Sequence, residues 1–255
     1  MAANYTCGME IVLDHGGLTA ATVAARLQEE FQQRNVSSAD FFLDRRPIDN
    51  WQLSRQVGIS KDFCLTSQYM EVRLMSVANF GIDIIYITSI PGTAISMSDW
   101  AASFFGDFFI MAYVFDVNYQ YWQNAQDPLQ YSARGKDYSA LPMISNGMPP
   151  PLEQMIIDTS RNPGRRILCE GYIEAVGATM WLGEVFWSRT HADRNALDQK
   201  HLTCNCSPLA AFRSGGWGTW RWGQDGAEAG EWALSGDAAG RDNGAEIGVG
   251  FRAPA

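Results

Sequence analysis

The sequence predicts an α+β fold, a mixed or mainly antiparallel sheet with a few packing helices, and three observations lead there. Residues 83–90 (DIIYITSI) and 108–115 (FFIMAYVF) are short, rich in β-branched or aromatic residues and almost wholly apolar, the pattern of strands covered on both faces. Residues 68–76 alternate Met70, Val72 and Leu74 with Tyr69, Glu71 and Arg73, the pattern of a half-buried strand. Val23, Leu27 and Phe31 recur every four residues, with Arg26, Gln28, Glu29 and Gln32 on the opposite side, which describes a helix packed on one stripe.

In chain order, the first strand is read at 9–13, where Met9, Ile11 and Leu13 share a face, and Gly16-Gly17 breaks it. Thr19 then caps the helix, which runs to about Gln33. Residues 35–62 carry little pattern, with Pro47 and Gly58 as breaks. Ser96 and Asp99 stand at capping-box spacing and open a short helix that buries Trp100 and Phe104 and stops near Gly106. The aromatics Tyr119, Tyr121 and Trp122 are expected near a surface. Residues 127–151, with Asn146-Gly147 and three consecutive prolines, read as a long loop between two halves of one fold. Short strands are expected at 155–158, 167–169 with 172–176, and 179–187. A helix from Thr190 through Leu197 is expected from the Thr190–Asp193 spacing.

Together these elements predict a single α+β domain over 8–200, followed by a tail over 206–255 of another character. That tail holds eleven of the chain's 24 glycines, four of its nine tryptophans and almost no aliphatic residues. No period survives in it, and glycine at that density raises the entropy lost on ordering, so a poorly ordered tail is expected. GC-rich DNA read out of frame would produce the same vocabulary.

Composition limits function. The 28 acidic against 19 basic residues give a net charge of -9, which disfavours direct contact with nucleic acid, because phosphate binding needs clustered Lys and Arg. It suits solubility, and also a basic partner reached by electrostatic steering. No basic n-region or apolar h-region opens the chain, and no run approaches the ~20 residues of a membrane span. A cytoplasmic location is therefore expected, with five scattered cysteines as free thiols.

Motifs for chemistry are scarce. The phosphate-binding, dinucleotide, zinc-protease and nucleophile-elbow signatures are all missing from the sequence. Histidine is limited to His15, His191 and His201. His191, His201, Cys204 and Cys206 fall within sixteen residues and have ligand chemistry for zinc. The C-x-C spacing is tighter than the usual knuckle and His191 falls at a helix start, so a plain junction is the better reading and no metal or cofactor is expected. Asp158, Glu170, Glu174 and Glu184 in the second half have the chemistry for acid–base work or for binding a partner. As charged residues on half-buried strands they more often form a solvated face. Set among Tyr172, Trp181 and Trp187, that face has the composition of a protein-binding surface, although each aromatic alone is more often core.

The stretches NPGRR at 162–166, EGYIEAVG at 170–177 and MWLGEVFW at 180–187 resemble the immunity protein fifty-two family. The similarity is clearest over 162–197, looser over 8–160, and does not extend past Lys200. It implies a cytoplasmic antidote that binds and silences one cognate secreted nuclease toxin of restriction-endonuclease-like class, without catalysis. Gly164, Gly171, Tyr172, Trp181, Gly183 and Trp187 match the family's motif, and such positions often specify a fold. The alternatives are a small hydrolase using the second-half carboxylates, and a chaperone or scaffold for secretion machinery.

Overall fold

A computed structural model describes residues 7–89, 97–162, 164–175, 177 and 179–192, together with 218–221, with side chains omitted at 97–99 and 218–221. The chain is α+β, and one antiparallel sheet organises it.

At the sheet's centre lie β1 (Cys7–Asp14), β6 (Ile82–Ser89) and β7 (Phe109–Asp116), with β1 between the other two. Outward from β6 follow β5 (Met70–Val77), β4 (Phe63–Thr66), β2 (Phe42–Leu43) and β3 (Arg46–Pro47). Outward from β7 follow β12 (Thr179–Leu182) and β13 (Gly218–Arg221). The two continuous apolar runs are thus interior strands, as their composition predicts, because a central strand has no face left for water.

Alternation along β1 splits the core in two. Met9, Ile11 and Leu13 point to a layer of helices, joining Leu27, Phe31, Trp100 and Phe104. This layer contains α1 (Ala20–Gln33), α2 (Leu53–Val57) and α3 (Met97–Ala102). Thr19 caps α1, its hydroxyl accepting from the Thr22 amide, and Val23, Leu27 and Phe31 are buried as their spacing requires.

Val12 and its neighbours Ile84 and Met111 point the other way, toward Tyr172, Ile173 and Phe186. The cover on this side is a hairpin of β10 (Ile167–Cys169) and β11 (Tyr172–Glu174) with α6 (Glu184–Thr190).

A third, small cluster of Ala125, Tyr131 and Ile157 lies apart from both. It joins α4 (Val117–Asn124), α5 (Pro128–Ala133) and a hairpin of β8 (Met143–Ser145) and β9 (Met155–Ile157). The expected long loop at 127–151 is corrected here, since it contains α5 and β8. The overlooked signal is Asp127-Pro128: the Asp127 carboxylate accepts from the Leu129 amide at 2.8 Å, and proline opens the helix.

Two further expectations change. The strand expected over 179–187 divides at Gly183, whose amide donates to the Ile110 carbonyl at 2.8 Å and whose extended backbone becomes the cap of α6. Thr190, expected to open a helix, closes one. Its hydroxyl donates back to the Phe186 carbonyl at 2.9 Å, and His191 follows in the left-handed conformation. Residues 193–197 lie outside the described residues.

Within the tail, Gly218–Arg221 pairs antiparallel with β12, Met180 opposite Trp220. A strand can add to a sheet edge through backbone hydrogen bonds alone, so its formation requires no aliphatic period. The rest of the tail lies outside the described residues. No helix among the described residues is long and apolar enough to cross a membrane.

Candidate functional site

Asp158, Glu170, Glu174 and Glu184 stand on four separate elements. Asp158 follows β9 in a turn, where its carboxylate accepts from the Ser160 amide at 2.8 Å. The Ser160 hydroxyl, then that amide, and the charges of Arg161 and Arg165 hold it below the usual carboxylate range. Glu170 is exposed at the β10–β11 turn, and Glu174 ends β11 at the opposite end of that strand. Glu184 is exposed in the first turn of α6, where an acidic side chain complements the helix N-terminus.

The motif residues take packed or turn positions. Tyr172 and Trp181 are buried, on opposite sides of the sheet. Trp187 is half-buried, edge-on to Phe186. Gly183 is the α6 cap. Gly171 has φ +81°, and a Cβ there would meet Arg189 Cδ at 2.8 Å. That guanidinium donates to the Gly171 carbonyl at 2.8 Å and to Asp14 Oδ1 at 2.6 Å, tying α6 to the β11 turn and to the end of β1. A Cβ at Gly164 would meet Tyr119 and Gln123 of α4 at 2.7 Å.

The NPGRR run therefore reads as a clamp on the end of α4. The Asn162 amide side chain donates to the Gln123 carbonyl, and the Arg166 backbone donates to Asn124 Oδ1. The Arg166 side chain then reaches into the sheet, with Nε 2.9 Å from Oε2 of Glu10. Tyr113 donates its hydroxyl to the same oxygen at 2.7 Å, and Gln120 of α4 donates to Tyr113 at 3.3 Å. Burial is the largest influence and opposes the Arg166 charge, but Glu10 and Tyr113 together outweigh it and the pKa rises. Burial, then the Glu10 charge, pushes the Tyr113 phenol well above its ordinary value, so it remains a proton donor. This network is a closed internal clasp. Sequence reading missed it because Glu10 and Arg166 are 156 positions apart.

His15, Ser76 and Asp83 also meet, at the end of the sheet. Asp83 Oδ1 is 2.9 Å and Ser76 Oγ 3.3 Å from the same ring nitrogen, Nδ1 of His15. A nucleophile relay needs the serine on one ring nitrogen and the carboxylate on the other, so this geometry is not one. Of the candidate zinc set, His201, Cys204 and Cys206 lie outside the described residues, and His191 ends α6. No group of three metal-ligating side chains forms among the described residues.

The surface that departs from an ordinary exterior is the arm built from α5, β8 and β9. Ten large hydrophobic residues are exposed among the described residues, and six of them fall here: Leu129, Leu141, Ile144, Met148, Leu152 and Met155. Leu129 is 75% exposed, Leu152 64% and Met148 55%. Scattered single exposures are normal in folded proteins, but here they concentrate on α5, β8, β9 and the segments that join them.

Arg134 and Lys136, which follow α5, lie against aromatic rings of α4: Arg134 is 4.0 Å from the Tyr121 ring centroid and Lys136 Nζ 4.2 Å from that of Trp122. Sequence reading placed the aromatic residues near a surface but not the apolar arm, whose exposed side chains follow no period and are separated by prolines. Comparison of the chain with protein-family models, with curated proteins and with solved structures finds no match.

Proposed function

We propose that this protein is a cytoplasmic antidote that binds a cognate secreted nuclease toxin and neutralises it by protein–protein contact, without catalysis of its own. The observation that carries the protein-binding part is the arm, where exposed leucine, isoleucine and methionine side chains occur on α5, β8, β9 and the segments that join them, beside a small core of their own. Burying such side chains against a partner supplies the main driving force of association, at roughly 25 cal/mol per Å². The resemblance at 162–197 supplies the class of partner, and the net charge of -9 suits a basic nuclease.

Co-expression with the toxin encoded by the adjacent gene tests the reading. Growth should be restored, and calorimetry with catalytically inactive toxin should give nanomolar affinity, about -12 kcal/mol. Absence of association even at low salt would remove the antidote function.

A further inference from the structure

We infer that Asn146 and Gly147, at the turn after β8, form a self-modifying site. The Gly147 nitrogen attacks the Asn146 side-chain amide, releasing ammonia and leaving aspartate or isoaspartate in the chain. This goes beyond the protein-binding reading and does not depend on it.

The nucleophile is the backbone nitrogen of Gly147, in an exposed turn with φ +73° and no side chain to shield it. Its N–H donates to Ser145 Oγ at 3.2 Å, and the Ser145 hydroxyl donates to Glu153 Oε1 at 3.0 Å. A nucleophile is activated when a base holds its proton, and this chain from nitrogen to hydroxyl to carboxylate supplies one. At the electrophile, Asn146 Oδ1 accepts from the backbone amides of Met148 at 3.1 Å and Gln154 at 3.2 Å. Two donors on one carbonyl oxygen stabilise the oxyanion that attack creates. The Asn146 side-chain nitrogen, the leaving group, donates to the Leu152 carbonyl at 3.1 Å.

In the reaction, the bond from Gly147 nitrogen to Asn146 Cγ forms as the nitrogen's proton passes to Ser145 and the Ser145 proton to Glu153. The bond from Cγ to Nδ2 then breaks. The proton returns from Glu153 through water to the departing nitrogen, which leaves as ammonia. Water opens the resulting cyclic imide at either carbonyl, so water is the only co-reactant.

The product differs from the parent at this turn. Its new carboxylate has no proton to donate to the Leu152 carbonyl. An isoaspartyl link also inserts an extra carbon into the backbone where the Asn146 amide donates to the Gln154 carbonyl at 2.9 Å. Between Leu141 and Ile157 Glu153 is otherwise the only ionisable side chain, so the charge of that stretch doubles.

The test incubates the full chain at neutral pH, folded and in guanidinium chloride, and follows conversion at 146 by peptide mapping, with an isoaspartyl methyltransferase as the probe for isoaspartate. Conversion should be several-fold faster in the folded protein, because only the fold brings Glu153 to Ser145 and the Gln154 amide to Asn146. S145A and E153Q should slow the folded-state reaction several-fold while the denatured rate and the melting transition stay close to the parent's, and S145T, which keeps the hydroxyl, should retain the parent rate. A folded-state rate below the denatured rate would overturn the inference, since the same hydrogen bonds would then be locking Asn146 in place. So would an unchanged or faster reaction in S145A and E153Q.

Discussion

Arg166 meets Glu10 through a 2.9 Å contact that joins the clamp on α4 to the middle of the central strand, and Glu10 is only 3% exposed. A buried carboxylate is tolerated only with its charge paired and its lone pairs used, and Arg166 and Tyr113 provide both.

Removing one partner should therefore cost more than removing both. Arg166→Met leaves the Glu10 charge uncompensated and should destabilise by about 3 kcal/mol, at the lower end for such pairs because Arg166 is partly exposed. Combining it with Glu10→Gln should recover part of that loss. Urea unfolding of the two singles and the double measures the coupling, and simple additivity would show that the pair is not acting as a unit.

Two of the left-handed glycines at hairpin turns separate backbone strain from crowding. Gly147 and Gly171 have φ of +73° and +81°, but a Cβ meets nothing within 4 Å at Gly147 and strikes Arg189 at Gly171. Gly147→Ala should cost about 1 kcal/mol, the left-handed penalty alone. Gly171→Ala should cost about 2–3 kcal/mol, because Arg189 must also leave its contacts to the Gly171 carbonyl and Asp14. Equal losses in thermal melts would mean that Arg189 moves aside freely.

Trp181 is expected to be a core residue with no direct part in partner contact. It is 4% exposed and packs with the helical layer, so Trp181→Ala should cost about 3–5 kcal/mol. A variant that melted like the parent yet no longer protected cells from the toxin would relocate Trp181 to the interface.

Alkaline pH should unfold the protein through its buried phenols. Burial, then hydrogen bonding to Cys169, raises the Tyr172 pKa, and Tyr113 is likewise raised. For a group whose folded pKa is raised, the stabilising contribution is complete below the unfolded value, about 10 for tyrosine, and is lost as pH climbs toward the folded value. Stability should therefore fall from about pH 10 upward. The tyrosinate absorbance missing in Tyr172→Phe should belong to the step that coincides with loss of structure. Its appearance in an early step, while the fold persists, would show that Tyr172 is reached by water.

Local pattern determined much of the fold. The runs at 83–90 and 108–115 specified interior strands, and the Val23–Leu27–Phe31 stripe with Thr19 specified α1, because burial on one or two faces imposes its own period on the sequence. The motif glycines were legible as fold positions, but their reasons were tertiary: Gly171 yields to Arg189, and Gly164 to Tyr119 and Gln123. Tertiary structure alone decided the pairing of Glu10 with Arg166, the division at Gly183, and the addition of Gly218–Arg221 to the sheet edge. These depend on contacts between distant residues and on backbone hydrogen bonds, neither of which leaves a period in the chain. The arm was decided in the same way, since whether a leucine at 129 or 152 is buried depends on what packs over it, and nothing among the described residues covers either one.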